Sequence, residues 1–216
     1  MIVYVSEKPA SRSVKISADE RTGWSSERPG ARGGPPRPVD LSVRSRVLAP
    51  SDRLRYSPGS LLIIVGPEAS EPARFAERVV EERGATLAPA RVRALLAGRV
   101  ADSEIEERAS ELLAGAVLKR LQAGQNVVLP LEGFDALERE RYVRLAHGLR
   151  RPRHLIMLDA PRDKVLDSER PALDELRRSL DAGELGLEGF QTVIRLGGHA
   201  LAELKRIVFQ PPPRDD

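Results

Sequence analysis

Residues 61–80 read LLIIVGPEASEPARFAERVV, a stretch that few architectures can accommodate. The apolar run LLIIV suits a strand covered on both faces. The turn opens on Gly66, and PARFAERVVEERG (72–84) continues as a helix with Pro72 in its first turn and Gly84 at its end. A strand, a tight turn and a helix in that order make one βα unit. Such a unit needs a parallel neighbouring strand and a layer of helix over it, so the chain is predicted to be α/β.

The same alternation continues downstream. IEERASELLAGAVLKRLQAG places Ile105, Ala109, Leu112, Leu113, Ala116, Val117 and Leu121 on one helical face, with Gly124 closing the helix. NVVLPL (126–131) reads as a strand, 136–149 as a helix with Tyr142, Leu145, Ala146 and Leu149 on one stripe, and HLIMLDA (154–160) as a strand. Residues 171–182 read as a helix, QTVIRL (191–196) as a strand and 199–207 as a last helix. The expectation is a mainly parallel five-stranded sheet with helices on both faces, binding any ligand at the carboxyl ends of its strands, where the turn after Val65 lies. A chain of 216 residues, 41% of them apolar, can hold one such domain with an appendage.

The appendage is N-terminal. MIVYVSEKPASRSVKIS suggests one or two short strands, residues 25–38 form a linker with four prolines and three glycines, and residues 39–48 alternate again as a strand. The predicted division is a basic, β-rich extension over 1–59, an α/β domain over 60–210 and a tail over 211–216. Residues 1–59 hold 11 Lys/Arg against 6 Asp/Glu, a net +5, whereas 60–216 hold 24 against 26, a net −2. The basic surplus permits nucleic-acid contact through residues 1–59, although its arginines alternate with Ser, Gly and Pro without aromatic partners for base stacking. Trp24, the sole tryptophan, could anchor this segment to the domain or to a partner.

Composition excludes several chemistries. The absence of cysteine removes disulfides, thiolate metal sites and cysteine nucleophiles together. His147, His154 and His199 lack metal-ligand spacing and read as surface or edge residues, so no metal site is predicted. No run approaches the roughly 18 apolar residues of a membrane span, and the first residues lack a secretory signal pattern, so a cytoplasmic location is expected.

The turn itself has the layout of a phosphate-binding loop, G-x-x-x-x-G-K-[ST], in which amides and a helix N-terminus hold phosphate, lysine neutralises it and a hydroxyl binds Mg²⁺. Here Gly66 occupies the first glycine position, Glu71 the second, Pro72 the lysine and Ala73 the magnesium-binding hydroxyl. Glu71 would repel phosphate and Pro72 removes an amide. A lost cation and the added carboxylates of Glu68 and Glu71 shift the local charge by about three units the wrong way. The residues fit a plain strand-to-helix turn with Ser70 as helix N-cap.

The order of elements, with RVRALLAG, ELLAGAVLKRLQAGQNVVL, ERERYVRLAHGLRRPRHLIMLDAP and EGFQTVI, resembles the polynucleotide-kinase-like group of P-loop kinases, which also takes in predicted AAA-type ATPases. The resemblance spans roughly residues 60–198 and implies a three-layer P-loop kinase-like fold with strand order 2-3-1-4-5. It also implies residues that are absent. Ala90 stands where the group's D-x-x-R phrase carries its catalytic aspartate ahead of Arg93, and Pro130 where a strand-end aspartate faces the metal.

Glu132 could substitute from two positions further on, and Asp159 ends its strand as an acid suited to capping the next turn. Arg170, Arg177 and Arg178 fall where the group carries a lid whose arginines approach phosphate, and with Arg93 they could retain an anion site. Phosphoryl transfer depends on positioned charge, and this chain lacks the loop lysine, the hydroxyl and both expected acids. The sequence therefore points to a pseudoenzyme: a degenerate phosphate loop, no catalytic residues, no cofactor, and a role in binding a protein partner or a second copy. The alternatives are a divergent phosphotransferase using ATP and Mg²⁺ through Glu132, Asp159 and the arginines, and a nucleic-acid-binding module acting through residues 1–59.

Overall fold

The computed structural model describes residues 53–211. The expected strands and linker before residue 53, Trp24 and the tail over 212–216 lie outside the described residues. Strand β1 is Arg53–Tyr56, β2 Leu61–Val65, β3 Val127–Pro130, β4 Arg153–Asp159, β5 Thr192–Gly197 and β6 Arg206–Phe209. The helices are α1 Glu71–Val79, α2 Pro89–Leu96, α3 Ile105–Gln122, α4 Ala136–Gly148, α5 Arg170–Asp181 and α6 Gly198–Glu203.

β2 is buried at every residue and pairs in parallel with β3 on one side and β4 on the other, with β5 beyond β4. The main sheet thus runs β3-β2-β4-β5. Outside β3, Thr86 bridges Val128 in parallel and the Leu87 amide donates to Val128 O at 2.9 Å. Counted from LLIIV as first strand, with this bridge in second place, the order is 2-3-1-4-5. The chain has a P-loop kinase-like fold.

The expected fifth strand is reduced to that bridge for a local reason. The 3₁₀ turn Arg83–Ala85 ends just before Thr86 and Pro89 opens α2, leaving too few extended residues for a ladder.

Because strand side chains alternate, the two faces of the sheet carry separate cores. Leu61, Ile63, Val65, Leu129, Leu155 and Met157 pack against α3, α4 and α5. Leu62, Ile64, Val128, Ile156 and Leu158 pack against α1 and the residues around α6. Three layers result.

Several sequence boundaries require correction. Residues 53–56, assigned to the extension, form β1, whose Leu54 and Tyr56 turn inward between outward arginines and which pairs in parallel with β6. The first helix stops at Val79 because Val80 is extended and bridges Ile207. The last helix ends at Glu203, and Ile207, expected at its end, lies instead within β6. On α3 the buried stripe is Ala109, Leu113, Val117 and Leu121, while Leu112 is 55% exposed. Among the described residues no helix is long and apolar enough to cross a membrane.

Candidate functional site

The turn from β2 to α1 is closed upon itself. The Glu71 amide donates to Glu68 O at 2.9 Å and the Arg74 amide to Ser70 O at 3.1 Å, so both point into the chain's own turn. A Cβ on Gly66 would lie 3.2 Å from Pro72 Cγ, 3.3 Å from Glu71 Oε2 and 3.4 Å from Leu158 Cβ. The Glu71 carboxylate and the Pro72 ring therefore fold back over Gly66. Burial pushes the Glu71 carboxyl above its ordinary range, Glu68 adds to the shift, and Arg74 opposes it. Ser70 holds the N-cap position, but its backbone is already helical and its hydroxyl makes no capping bond, which corrects the expected cap. Ala73 lies within the first turn of α1 and brings no polar atom to the loop.

The remaining candidates are drawn together in pairs. Arg93, in the last turn of α2, reaches Glu132 beyond the end of β3, its Nη2 lying 2.5 Å and 2.6 Å from the two carboxylate oxygens. Glu106 adds a second acid 3.5 Å from Arg93 Nε. Arg177 of α5 donates from Nε and Nη2 to Asp159 Oδ1 at 3.1 and 2.5 Å, and from Nη2 to Ala160 O at 2.7 Å. Arg170 pairs with Asp167 at 2.5 Å and donates to Arg162 O at 3.1 Å. Arg178 pairs with Glu175 at 2.5 Å on the outer side of α5. Each of the four arginines thus meets carboxylates of its own, and the four do not converge on one point.

Asp159 does not cap the turn that follows it, as its position suggested. Its second oxygen accepts from Arg195 of β5, Nε at 2.8 Å and Nη2 at 2.6 Å, so one carboxylate is held between two guanidiniums. Sequence reasoning missed Arg195. A charged residue inside the otherwise apolar strand TVIRLG, near its carboxyl end, was the available signal.

His154 was also misplaced. It is buried, with Nδ1 2.8 Å from Thr192 Oγ1, Nε2 3.2 Å from Ser60 Oγ and the Tyr56 ring 4.4 Å away. Its partners come from two distant parts of the chain, residues 56–60 and Thr192, which is why local sequence did not reveal them. His199 pairs with Glu203 at the surface. Among the described residues no group of three or more His, Asp or Glu could hold a metal ion.

Beside the turn, a cleft of about 310 Å³ is lined by Glu71, Arg74, Phe75, Arg78, Leu158 and Leu201. Arg78 spans it, donating to Leu201 O and Leu204 O at 3.1 Å each and lying 5.4 Å from the Phe75 ring centre. Its floor is apolar and its rim carries both signs of charge.

No protein-family model matches the chain, and no curated protein matches it. Among solved structures it is similar to the tunicamycin resistance protein of Deinococcus radiodurans, at 18% identity over 67% of this chain and 91% of that one, with a TM-score of 0.37. It is also similar to a gluconokinase of Sinorhizobium meliloti, at 15% identity over 69% of this chain and 93% of that one, with a TM-score of 0.38. The fold assignment rests on the strand order and layering described above.

Proposed function

We propose that this chain is a kinase-like scaffold that has lost phosphoryl transfer and acts by binding a protein partner or a second copy of itself. The observation carrying this reading is the closed turn after β2, where the Glu71 amide is spent on Glu68 O and the Glu71 carboxylate lies against Gly66. Anion binding at such a turn needs amides that point outward and a cation nearby. In this turn the Glu71 amide is spent on Glu68 O, Pro72 has no amide, Arg74 is paired with Glu68 at 2.7 Å, and the Glu71 carboxylate lies against Gly66.

The acids that a divergent phosphotransferase would use are committed elsewhere. Glu132 is clasped by Arg93 and Asp159 by Arg177 and Arg195. The cleft beside α1 is the feature that favours the competing reading, a nucleotide-binding enzyme drawing on ATP and Mg²⁺. If Mg²⁺ were bound, it would supply charge neutralisation at the transferring phosphoryl group, and Glu132 and Asp159 are the carboxylates near the strand ends that could hold it. Neither stands apart from its arginine partners, so the residues fit that role poorly.

The test is a sensitive ATP and GTP turnover assay on the full chain. The expected result is no turnover above a heat-inactivated control, and a turnover abolished in Glu132→Gln would contradict the proposal. Residues 1–59, with their net +5, supply the surface a nucleic-acid partner would use. Binding through them should fall steeply with salt and disappear when residues 1–38 are deleted.

A further inference from the structure

Helix α3 spends only part of its surface inside the molecule. Ala109, Leu113, Val117 and Leu121 are buried, and Arg141 of α4 reaches Ser110 on one flank. The opposite ridge, Glu104 at the N-cap followed by Arg108, Glu111, Leu112, Gly115 and Lys119, recurs at steps of three and four and is exposed at every position. Leu112 is 55% exposed there, and α2, which packs along α3, buries none of its own residues and leaves Leu95 65% exposed.

An exposed leucine alone says little, since scattered apolar side chains are normal on a surface. Gly115 says more. Glycine is the costliest residue after proline in a helix interior, yet nothing in the fold calls for one here: its φ is not positive, and a Cβ would meet no atom within 4 Å. A missing side chain beside an exposed leucine lets a second backbone come close.

The charges indicate which body that is. Glu104, where α3 begins, and Lys119, in its last turn, have no ion-pair partner among the described residues, whereas Arg108 and Glu111 neutralise each other at 3.4 Å. The midpoint of Glu104 and Lys119 falls between Glu111 and Leu112. A ridge laid antiparallel on its own copy therefore sets each Glu104 opposite the other copy's Lys119, with the two leucines at the centre. A surface that matches itself in this way is what a two-fold axis requires.

We infer that two copies of this chain pair through the α3 ridge, antiparallel about a two-fold axis near Leu112, with Gly115 admitting the close approach. This pairing rests on the proposed role in binding a protein or a second copy, and it names the surface and the occupant. It uses no residue of the β2–α1 turn, so pairing and loss of nucleotide turnover can fail separately. A single helix ridge presents less area than a standard interface, so the pair is weak and a dilute sample is monomeric. Leu112 then matters to association and not to the stability of the single copy.

Sedimentation velocity of the full chain from micromolar to submillimolar concentration, at low and high salt, tests this. The mass should rise toward that of two copies, and less steeply at high salt. Gly115→Arg should stay monomeric. Glu104→Lys and Lys119→Glu each set like charges face to face and should weaken pairing about tenfold or more, and the double swap E104K/K119E should restore it. All these positions are exposed, so each variant should unfold near the wild-type temperature when dilute. A wild type that stays monomeric throughout would leave the ridge to a different protein and overturn the inference. So would a dimer indifferent to G115R, single reversals without effect, or a double swap that fails to restore pairing.

Discussion

At the scale of single residues, the hydrogens around His154 can be followed one by one. Ser60 donates its hydroxyl to Ser57 O at 2.6 Å, so its oxygen is left to accept Nε2–H of His154, and Nδ1 then accepts from Thr192. The neutral ring is fully satisfied. Protonation would put a positive charge in a buried place beside Arg153, and burial first, then Arg153, holds the imidazole down at about 4. The unfolded chain titrates near 6.5, so it binds the proton that the fold refuses between the two values. Stability is complete above pH 6.5, falls as pH drops toward 4 by roughly 3 kcal/mol, and levels off below that. Urea unfolding at pH 7 and pH 4.5 should register this loss. His154→Asn should flatten the slope, and an unchanged slope in that variant would place the acid sensitivity elsewhere. None of this was legible in the sequence, where His154 begins an apolar run and its partners lie 94 and 38 residues away. That Glu71, Pro72 and Ala73 depart from a fixed motif could be read in the sequence, whereas the bond from the Glu71 amide to Glu68 O could not.

At the scale of elements, apolar patterning decides what sequence can reveal. LLIIV was readable as a doubly covered strand because both faces of the sheet are core, and the remaining main-sheet strands were found to within a residue or two for the same reason. The failures were short or shared. β1 reads RLRY, with two arginines pointing away from its core, and β6 follows a helical run without a break in polarity. Helix α3 was placed correctly, but its wide apolar face gave no indication that Leu112 turns outward. The two leucines in its centre separate the observed stripe from the expected one. Leu113→Ala should cost about 2–5 kcal/mol, as cavity-forming changes in a core do, whereas Leu112→Ala should stay within about 0.5 kcal/mol. Equal losses in denaturant unfolding would restore the wider face.

At the scale of the whole molecule, a P-loop kinase-like fold carries its charged groups turned upon one another. The β2–α1 turn bonds to itself, Arg93 answers Glu132, and Arg177 and Arg195 share Asp159. The sheet order followed from resemblance because it is set by long apolar strands. The pairing of arginines with acids did not, because each pair joins residues well apart in sequence and long flexible side chains leave no periodic trace. Pro72 brings no cation to the turn, and the Glu71 carboxylate folded over Gly66 sets a negative charge there. The most direct measurement is a calorimetric titration of the full chain with ATP, with and without Mg²⁺, read alongside its unfolding temperature. A ligand present at a hundred times its dissociation constant would add about 2.7 kcal/mol to stability. Neither heat of binding nor a shift is expected at millimolar nucleotide, and a magnesium-dependent shift would contradict the proposed loss of phosphoryl transfer.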